Sequence, residues 1–93
     1  MEGGRRNRMK NNYDYKLLLE DLAVGREIEF NYNGIQYGIV HFSEGWFFVA
    51  DNIRISEYYK NPQELVEKMY IDGRPLKERF NNGEIPNEGF YIL

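Results

Sequence analysis

The stretch that decides the fold of this 93-residue chain is Glu27-Ile28-Glu29-Phe30-Asn31-Tyr32-Asn33-Gly34-Ile35-Gln36-Tyr37. Polar and apolar residues alternate up to Asn33-Gly34, which is typical of a strand with one buried face. Asn and Gly both tolerate the positive φ that a two-residue type I′ turn requires, so the stretch predicts a β-hairpin. A two-residue loop fixes the register and gathers the apolar residues on one face. The predicted partners are Tyr32 with Ile35, Phe30 with Tyr37, and Ile28 with Ile39.

A third strand is predicted after Ser43-Glu44-Gly45, which we interpret as a three-residue loop with Gly45 in the left-handed conformation. The strand runs to about Asp51 and completes an antiparallel meander. In this register Phe42 opposes Trp46, Val40 opposes Phe48, and Ile39 opposes Val49. The four apolar side chains that then share the face opposite Ile28 are Val40, Phe42, Trp46 and Phe48. An antiparallel sheet normally leaves one face to water, so this second apolar face requires cover, either from the chain's own helices or from another protein.

Three helices are predicted around the meander. The first spans Asp14 to Val24, with Asp14 as its N-cap and Gly25 as its stop. The second begins at Asn61-Pro62, a cap followed by proline at the first helical position, and ends near Ile71. The third begins at Pro75 and ends at Asn82-Gly83.

The predicted fold is therefore α+β: a three-stranded antiparallel meander with an N-terminal helix and two short C-terminal helices packed on one sheet face. Residues 52–56 are interpreted as a short edge strand or a loop, and residues 89–93 as a small terminal strand or a packed tail. The residues expected in the core are Ile28, Phe30, Tyr37, Ile39, Val49, Leu65, Met69, Leu76 and Phe80.

Composition indicates one folded domain, at residues 11–93, behind a flexible basic tail at residues 1–10. The chain is 42% hydrophobic and 16% aromatic, which is typical of a folding sequence. The first ten residues hold four cations and one anion, whereas the rest of the chain holds eight and fourteen, a net charge of −6. No apolar run approaches the roughly 20 residues of a membrane span, and the basic tail leads into no apolar signal segment. We expect a cytoplasmic protein.

The residues that usually carry catalysis are scarce. The chain has no Cys and no Thr, two Ser and a single His. Ser43 and His41 lie two apart at a strand end, with no motif that marks a nucleophile or an oxyanion hole. One His with scattered carboxylates lacks the spacing of a metal site, and Glu27 and Glu29 are interpreted as a solvated strand face. We therefore predict no enzyme, and no catalytic, cofactor-binding or metal-binding residue.

Three segments resemble small uncharacterised proteins of Gram-positive bacteria and their phages. They are Phe30-Asn31-Tyr32-Asn33-Gly34-Ile35-Gln36-Tyr37, Gly45-Trp46-Phe47-Phe48, and Ile71-Asp72-Gly73-Arg74-Pro75-Leu76. The resemblance extends over roughly residues 26–80. It implies an intracellular bacterial origin and a domain of unknown function, and it supplies no catalytic residues.

The doubly apolar strands favour a non-enzymatic protein-interaction module. Its expected contact surface is Val40, Phe42, Trp46 and Phe48, and a two-fold homodimer is the commonest assembly for such a surface. One alternative is nucleic-acid binding through the basic tail, by Arg5, Arg6, Arg8 and Lys10. The acidic body repels a polyanion, and the aromatic strands lack cations, so nucleic acid is disfavoured as a partner. Another alternative is an acidic body that mimics nucleic acid.

Overall fold

The computed structural model describes residues 13–93, which form a sheet of five antiparallel strands, three helices and a second, two-stranded sheet. In chain order the elements are α1 (Tyr15–Ala23), β1 (Ile28–Tyr32), β2 (Ile35–Phe42), β3 (Gly45–Ala50), β4 (Ile53–Arg54), α2 (Pro62–Lys68), β5 (Tyr70–Ile71), β6 (Arg74–Pro75), α3 (Leu76–Asn81) and β7 (Tyr91–Ile92). The strand order of the main sheet is β4-β3-β2-β1-β7, and β5 pairs with β6. The predicted α+β class is confirmed, with five strands in the main sheet rather than three.

The β1–β2 hairpin has the predicted register. Tyr32 lies opposite Ile35, Phe30 opposite Tyr37, and Ile28 opposite Ile39. Asn33 has φ +53° and Gly34 has φ +84°, as a type I′ turn requires. The register predicted from the Asn33-Gly34 turn and the alternating pattern is therefore confirmed.

The predicted register of β2 and β3 is wrong by one residue. The turn contains two residues, Ser43 and Glu44, and Gly45 is the first residue of β3. Phe42 is opposite Gly45, His41 opposite Trp46, Val40 opposite Phe47, and Ile39 opposite Phe48. A shift of one residue moves every side chain of a strand to the other face. Trp46 and Phe48 consequently share a face with Ile28 and Phe30, while Phe47 and Val49 lie on the opposite face.

The helices begin where their caps predict. The Asp14 carboxylate accepts a hydrogen bond from the Leu17 N–H, and the Asn61 side chain accepts one from the Glu64 N–H. α2 ends at Lys68 and not near Ile71, because Tyr70 and Ile71 form β5 and pair across a tight turn with β6. That turn is Asp72-Gly73, whose φ values are +52° and +86°.

Two short strands complete the main sheet. β4 follows β3 through Asp51 and Asn52, whose φ values are +49° and +69°. β7 pairs with the other edge, so that Ile92 lies opposite Ile28 and Tyr91 opposite Glu29. The sequence leaves both segments open between a strand and another conformation, because runs of two paired residues are too short to give a periodic signal.

The hydrophobic core joins all three helices to one face of the main sheet, called here the inner face. Its fully buried side chains include Leu18 and Leu22 of α1, Leu65 and Val66 of α2, Leu76 and Phe80 of α3, and Ile28, Phe30, Ile39 and Phe48 of the sheet. Of the predicted core residues, Met69 is only partly buried at the C-cap of α2. Val49 is also only partly buried, since the register places it on the other face.

Arg79 of α3 fastens the small β5–β6 hairpin to the rest of the fold. Its buried guanidinium donates hydrogen bonds to the Ile71 carbonyl, at 3.2 and 2.8 Å, and to the Asp72 carbonyl at 3.1 Å. It also pairs with the Glu84 carboxylate at 2.5 Å and lies 5.2 Å from the centre of the Tyr32 ring. The two tight turns meet as well, because the Asn33 side-chain amide donates to the Asp72 carboxylate at 3.1 Å.

Candidate interaction surface

The face of the main sheet away from the helices, called here the outer face, carries an apolar cluster. β2 contributes Val40 and Phe42, and β3 contributes Phe47 and Val49. We call these four residues the outer patch. Phe42 is 67% exposed, which is a large exposure for a phenylalanine that has apolar neighbours on its own strand and on the next.

Two aromatic rings, Phe42 of the outer patch and the nearby Tyr58, cover Phe47. Its ring centre lies 5.4 Å from that of Phe42 and 5.3 Å from that of Tyr58, and both pairs are edge-to-face. Phe47 is consequently buried, whereas Phe42 and Tyr58 remain exposed. Within the outer patch, Phe42 is therefore the side chain most exposed to solvent.

A glycine lies in the middle of the outer face. The strand pairings form a row across the sheet in which Tyr91, Glu29, Gly38, Val49 and Arg54 are successive neighbours. A Cβ atom at Gly38 would lie 2.9 Å from Cγ2 of Val49, so the valine already leans over the position. A shallow depression of about 350 Å³ includes the outer patch and reaches Glu27, Glu29, Asn52 and Arg54.

The two sides of this depression have opposite charge. Glu27 and Glu29 lie on the β1 side, and Arg54 lies on the β4 side. One carboxylate oxygen of Glu27 accepts a hydrogen bond from the His41 backbone N–H at 3.1 Å. The Arg54 guanidinium lies 4.5 Å above the Tyr58 ring and donates to the Ser56 carbonyl. Within residues 13–93, Glu29 has no ion-pair partner.

The predicted contact surface is divided between the two faces. Val40 and Phe42 lie on the outer face, but Phe48 is fully buried in the core, and Trp46 is buried with its ring stacked on His41 at 4.2 Å. The backbone of Trp46 also exchanges two hydrogen bonds with that of Tyr59. Phe47 and Val49 take the places of Trp46 and Phe48 on the outer face. A two-residue interpretation of the Ser43-Glu44 turn would have found them.

Ser43 and His41 each interact with a different neighbour. The Ser43 hydroxyl donates to the neighbouring Glu44 carboxylate at 3.3 Å, while the His41 ring packs on Trp46. Nowhere in residues 13–93 do three His, Asp or Glu side chains come together in a way that could hold a metal ion. The helices of the same residues are all too short or too polar to cross a membrane.

The basic tail, with Arg5, Arg6, Arg8 and Lys10, lies outside the described residues, so its predicted contact with nucleic acid stays a prediction. The acidic groups of the body lie on both sides of the sheet. Glu27 and Glu29 are on the outer face, whereas Glu67 and Glu78 are exposed on α2 and α3. Mimicry of nucleic acid requires acids aligned on one surface, and this distribution gives it no support.

No family model, curated protein or solved structure matches the chain. The resemblance to proteins of Gram-positive bacteria and their phages consequently stays a prediction.

Proposed function

We propose that this chain is a non-enzymatic protein-interaction module that self-associates through the outer patch. The observation that carries the proposal is the exposed ring of Phe42 beside Val40, Phe47 and Val49, on the sheet face opposite the helices. Removing apolar surface from water is favourable by about 25 cal/mol per Å², so a contiguous apolar area gains stability when another protein covers it.

The surroundings of the patch also suit a protein partner. An apolar centre with a polar and charged rim is the usual composition of a protein interface. Here aromatic rings form the centre, and Glu27, Glu29 and Arg54 form the rim. Aromatic residues are enriched at such contacts because a rigid ring buries a large area at a small cost in conformational entropy.

Sedimentation equilibrium over about 10 µM to about 1 mM tests the proposal, since a small interface gives weak association. We expect the average mass of the wild-type protein to rise with concentration and that of Phe42→Ser to remain at the monomer value. Tyr70→Ser is the matched control, because Tyr70 is similarly exposed but belongs to β5 of the second sheet. It should behave as the wild type. Monomeric wild-type protein at about 1 mM, or association of Phe42→Ser equal to that of the wild type, would contradict the proposal.

A further inference from the structure

We infer that the partner on the outer patch is a second copy of this chain, packed face to face about a two-fold axis that runs along the strands between β2 and β3. The inference rests on the proposed function and specifies the orientation of the contact. It follows from the arrangement of charge and of side-chain size on the outer face.

Charge selects the direction of the axis. Glu29 and Arg54 belong to the same row of the sheet, three strand spacings or about 14 Å apart, on opposite sides of the outer patch. Rotation about an axis along the strands places the β1 side of one copy over the β4 side of the other. Glu29 of each copy then faces Arg54 of the other copy. An axis across the strands would instead place β1 of one copy over β1 of the other and bring the carboxylates of Glu27 and Glu29 of both copies to the same side, where like charges repel.

Side-chain size fits the same axis. When β2 of one copy lies over β3 of the other, Val49 faces Gly38 of the second copy, and Val40 faces Phe47. Gly38 has no side chain and Val49 of the same chain leans over it, so at this level each sheet presents a single valine to the other copy. Packed sheets lie about 10 Å apart, which leaves space for a single interdigitated layer of side chains. The charges of the face are therefore self-complementary, as a two-fold interface requires, and this axis places no two large aromatic rings directly opposite each other.

The extent of the face sets the expected affinity. The five strands have lengths of 5, 8, 6, 2 and 2 residues, and with about 4.8 Å between strands and about 3.4 Å per residue they cover on the order of 400 Å². A standard stable interface buries about 800 Å² on each partner, so we expect a dissociation constant in the micromolar range or weaker. Exposed ion pairs contribute little free energy, so Glu29 and Arg54 determine the orientation, and the apolar side chains provide most of the stabilisation.

A charge-exchange experiment tests the axis. In Glu29→Arg, two cations face each other at both contacts of the dimer, and in Arg54→Glu two anions do. Each variant alone is expected to associate at least about tenfold more weakly than the wild type. An equimolar mixture restores opposite charges at both contacts, so a heterodimer should form with about wild-type affinity. The swaps change the net charge of −3 to −1 and −5, so both chains stay acidic and general attraction cannot explain the recovery.

Three further variants make the experiment decisive. The double variant Glu29→Arg/Arg54→Glu has both charges exchanged in one chain and should associate as the wild type does. This also controls for the contacts with Ser56 and Tyr58 that Arg54→Glu loses. The matched control exchanges charges on the helices, Lys16→Glu in α1 and Glu78→Arg in α3, and both of these variants should associate normally. Circular dichroism confirms that every variant is folded.

The outcomes separate the inference from the proposed function. Recovery of association in the mixture and in the double variant supports the axis along the strands. If Phe42→Ser abolishes self-association but the mixture recovers nothing, the outer patch is the interface and the proposed axis is wrong. If the wild-type protein remains monomeric at about 1 mM, the second copy is excluded, and the proposed self-association fails with it.

Discussion

The guanidinium of Arg79 satisfies the two carbonyl groups at the turn of the β5–β6 hairpin, a pair of strands too short to be stable alone. The Glu84 carboxylate accepts a further hydrogen bond from the same guanidinium. Its hydrogen bond with Arg79, and a second one from Asn82, hold the pKa of Glu84 below its ordinary value near 4.5. One charged pair thereby joins α3, the small hairpin and the loop that follows α3.

The first prediction concerns the pH dependence of this pair. A carboxyl group whose pKa is lowered by folding adds stability above its ordinary pKa and loses that contribution as the pH falls through the lowered value. We expect the melting temperature of the wild type to exceed that of Glu84→Gln at pH 7, and the difference to disappear by about pH 2. Thermal unfolding followed by circular dichroism measures it. Glu88→Gln, an exposed carboxylate in the same loop, should match the wild type at both pH values. A pH-independent difference for Glu84→Gln would show that the ion pair adds no stability.

The sequence does not reveal the role of Arg79. The spacing of Leu76 and Phe80 predicts the buried stripe of α3, and both residues are buried. An arginine in the same helix is ordinarily exposed, since burying a charge is costly without a partner. Its partners are carbonyl groups, which every residue possesses, so no sequence pattern indicates them in advance.

At the scale of elements, the two main hairpins differ in how well their turns specify the register. Asn33-Gly34 allows one assignment, because both residues favour positive φ. Ser43-Glu44-Gly45 is compatible with a two-residue or a three-residue loop, and the glycine favours the longer one. Gly45 instead begins β3 with φ +134°, a conformation that other residues rarely adopt. The burial of side chains favours the two-residue loop, because the register that this loop sets places the large rings of Trp46 and Phe48 in the core.

The second prediction uses this register. Phe48 is fully buried, with its ring stacked on Tyr37 at 5.3 Å, so Phe48→Ala should lower the free energy of unfolding by about 3–5 kcal/mol. Phe47 is covered by the exposed rings of Phe42 and Tyr58, which can close over a smaller side chain, so Phe47→Ala should cost about half as much. Urea unfolding of both variants measures the difference. The predicted three-residue loop requires the opposite order, so a greater loss for Phe47→Ala would contradict the observed register.

The third prediction concerns the Asp72-Gly73 turn. A Cβ atom at Gly73 would have no neighbouring atom within 4 Å, but the φ of this residue is +86°. Gly73→Ala should therefore lower the free energy of unfolding by about 1 kcal/mol through backbone conformation alone. Gly73→Asn provides the control, since asparagine tolerates this conformation, and it should lose less. Equal losses in urea unfolding would show that the side chain, and not the backbone, causes the destabilisation.

At the scale of the whole molecule, the two ends of the described chain pack on the same core. The Tyr13 ring lies 4.7 Å from that of Phe90 and 6.2 Å from that of Phe80. β7 then pairs with the edge of β1, and the Leu93 N–H donates to the Glu27 carbonyl at 2.8 Å. The short β7 strand therefore covers an edge that would otherwise be open to pairing with other chains.

The fourth prediction tests this cover. Deletion of residues 91–93 should lower the free energy of unfolding by about 2 kcal/mol, because several backbone hydrogen bonds are lost. It should also increase aggregation, since the edge of β1 becomes exposed. Calorimetry and light scattering measure the two effects. Tyr91→Thr preserves the backbone pairing and should aggregate no more than the wild type, so aggregation of this variant would assign the effect to the side chain.

The position of Trp46 makes it an intrinsic fluorescent probe of the core that does not report on the proposed contact. It is the only tryptophan, and it lies on the inner face beside His41, whereas the proposed contact is on the outer face. Its fluorescence emission should shift to longer wavelength when the core opens, yet stay constant when the protein is diluted through its association range. Fluorescence and sedimentation together would thus distinguish unfolding of the protein from dissociation of its copies in a single sample.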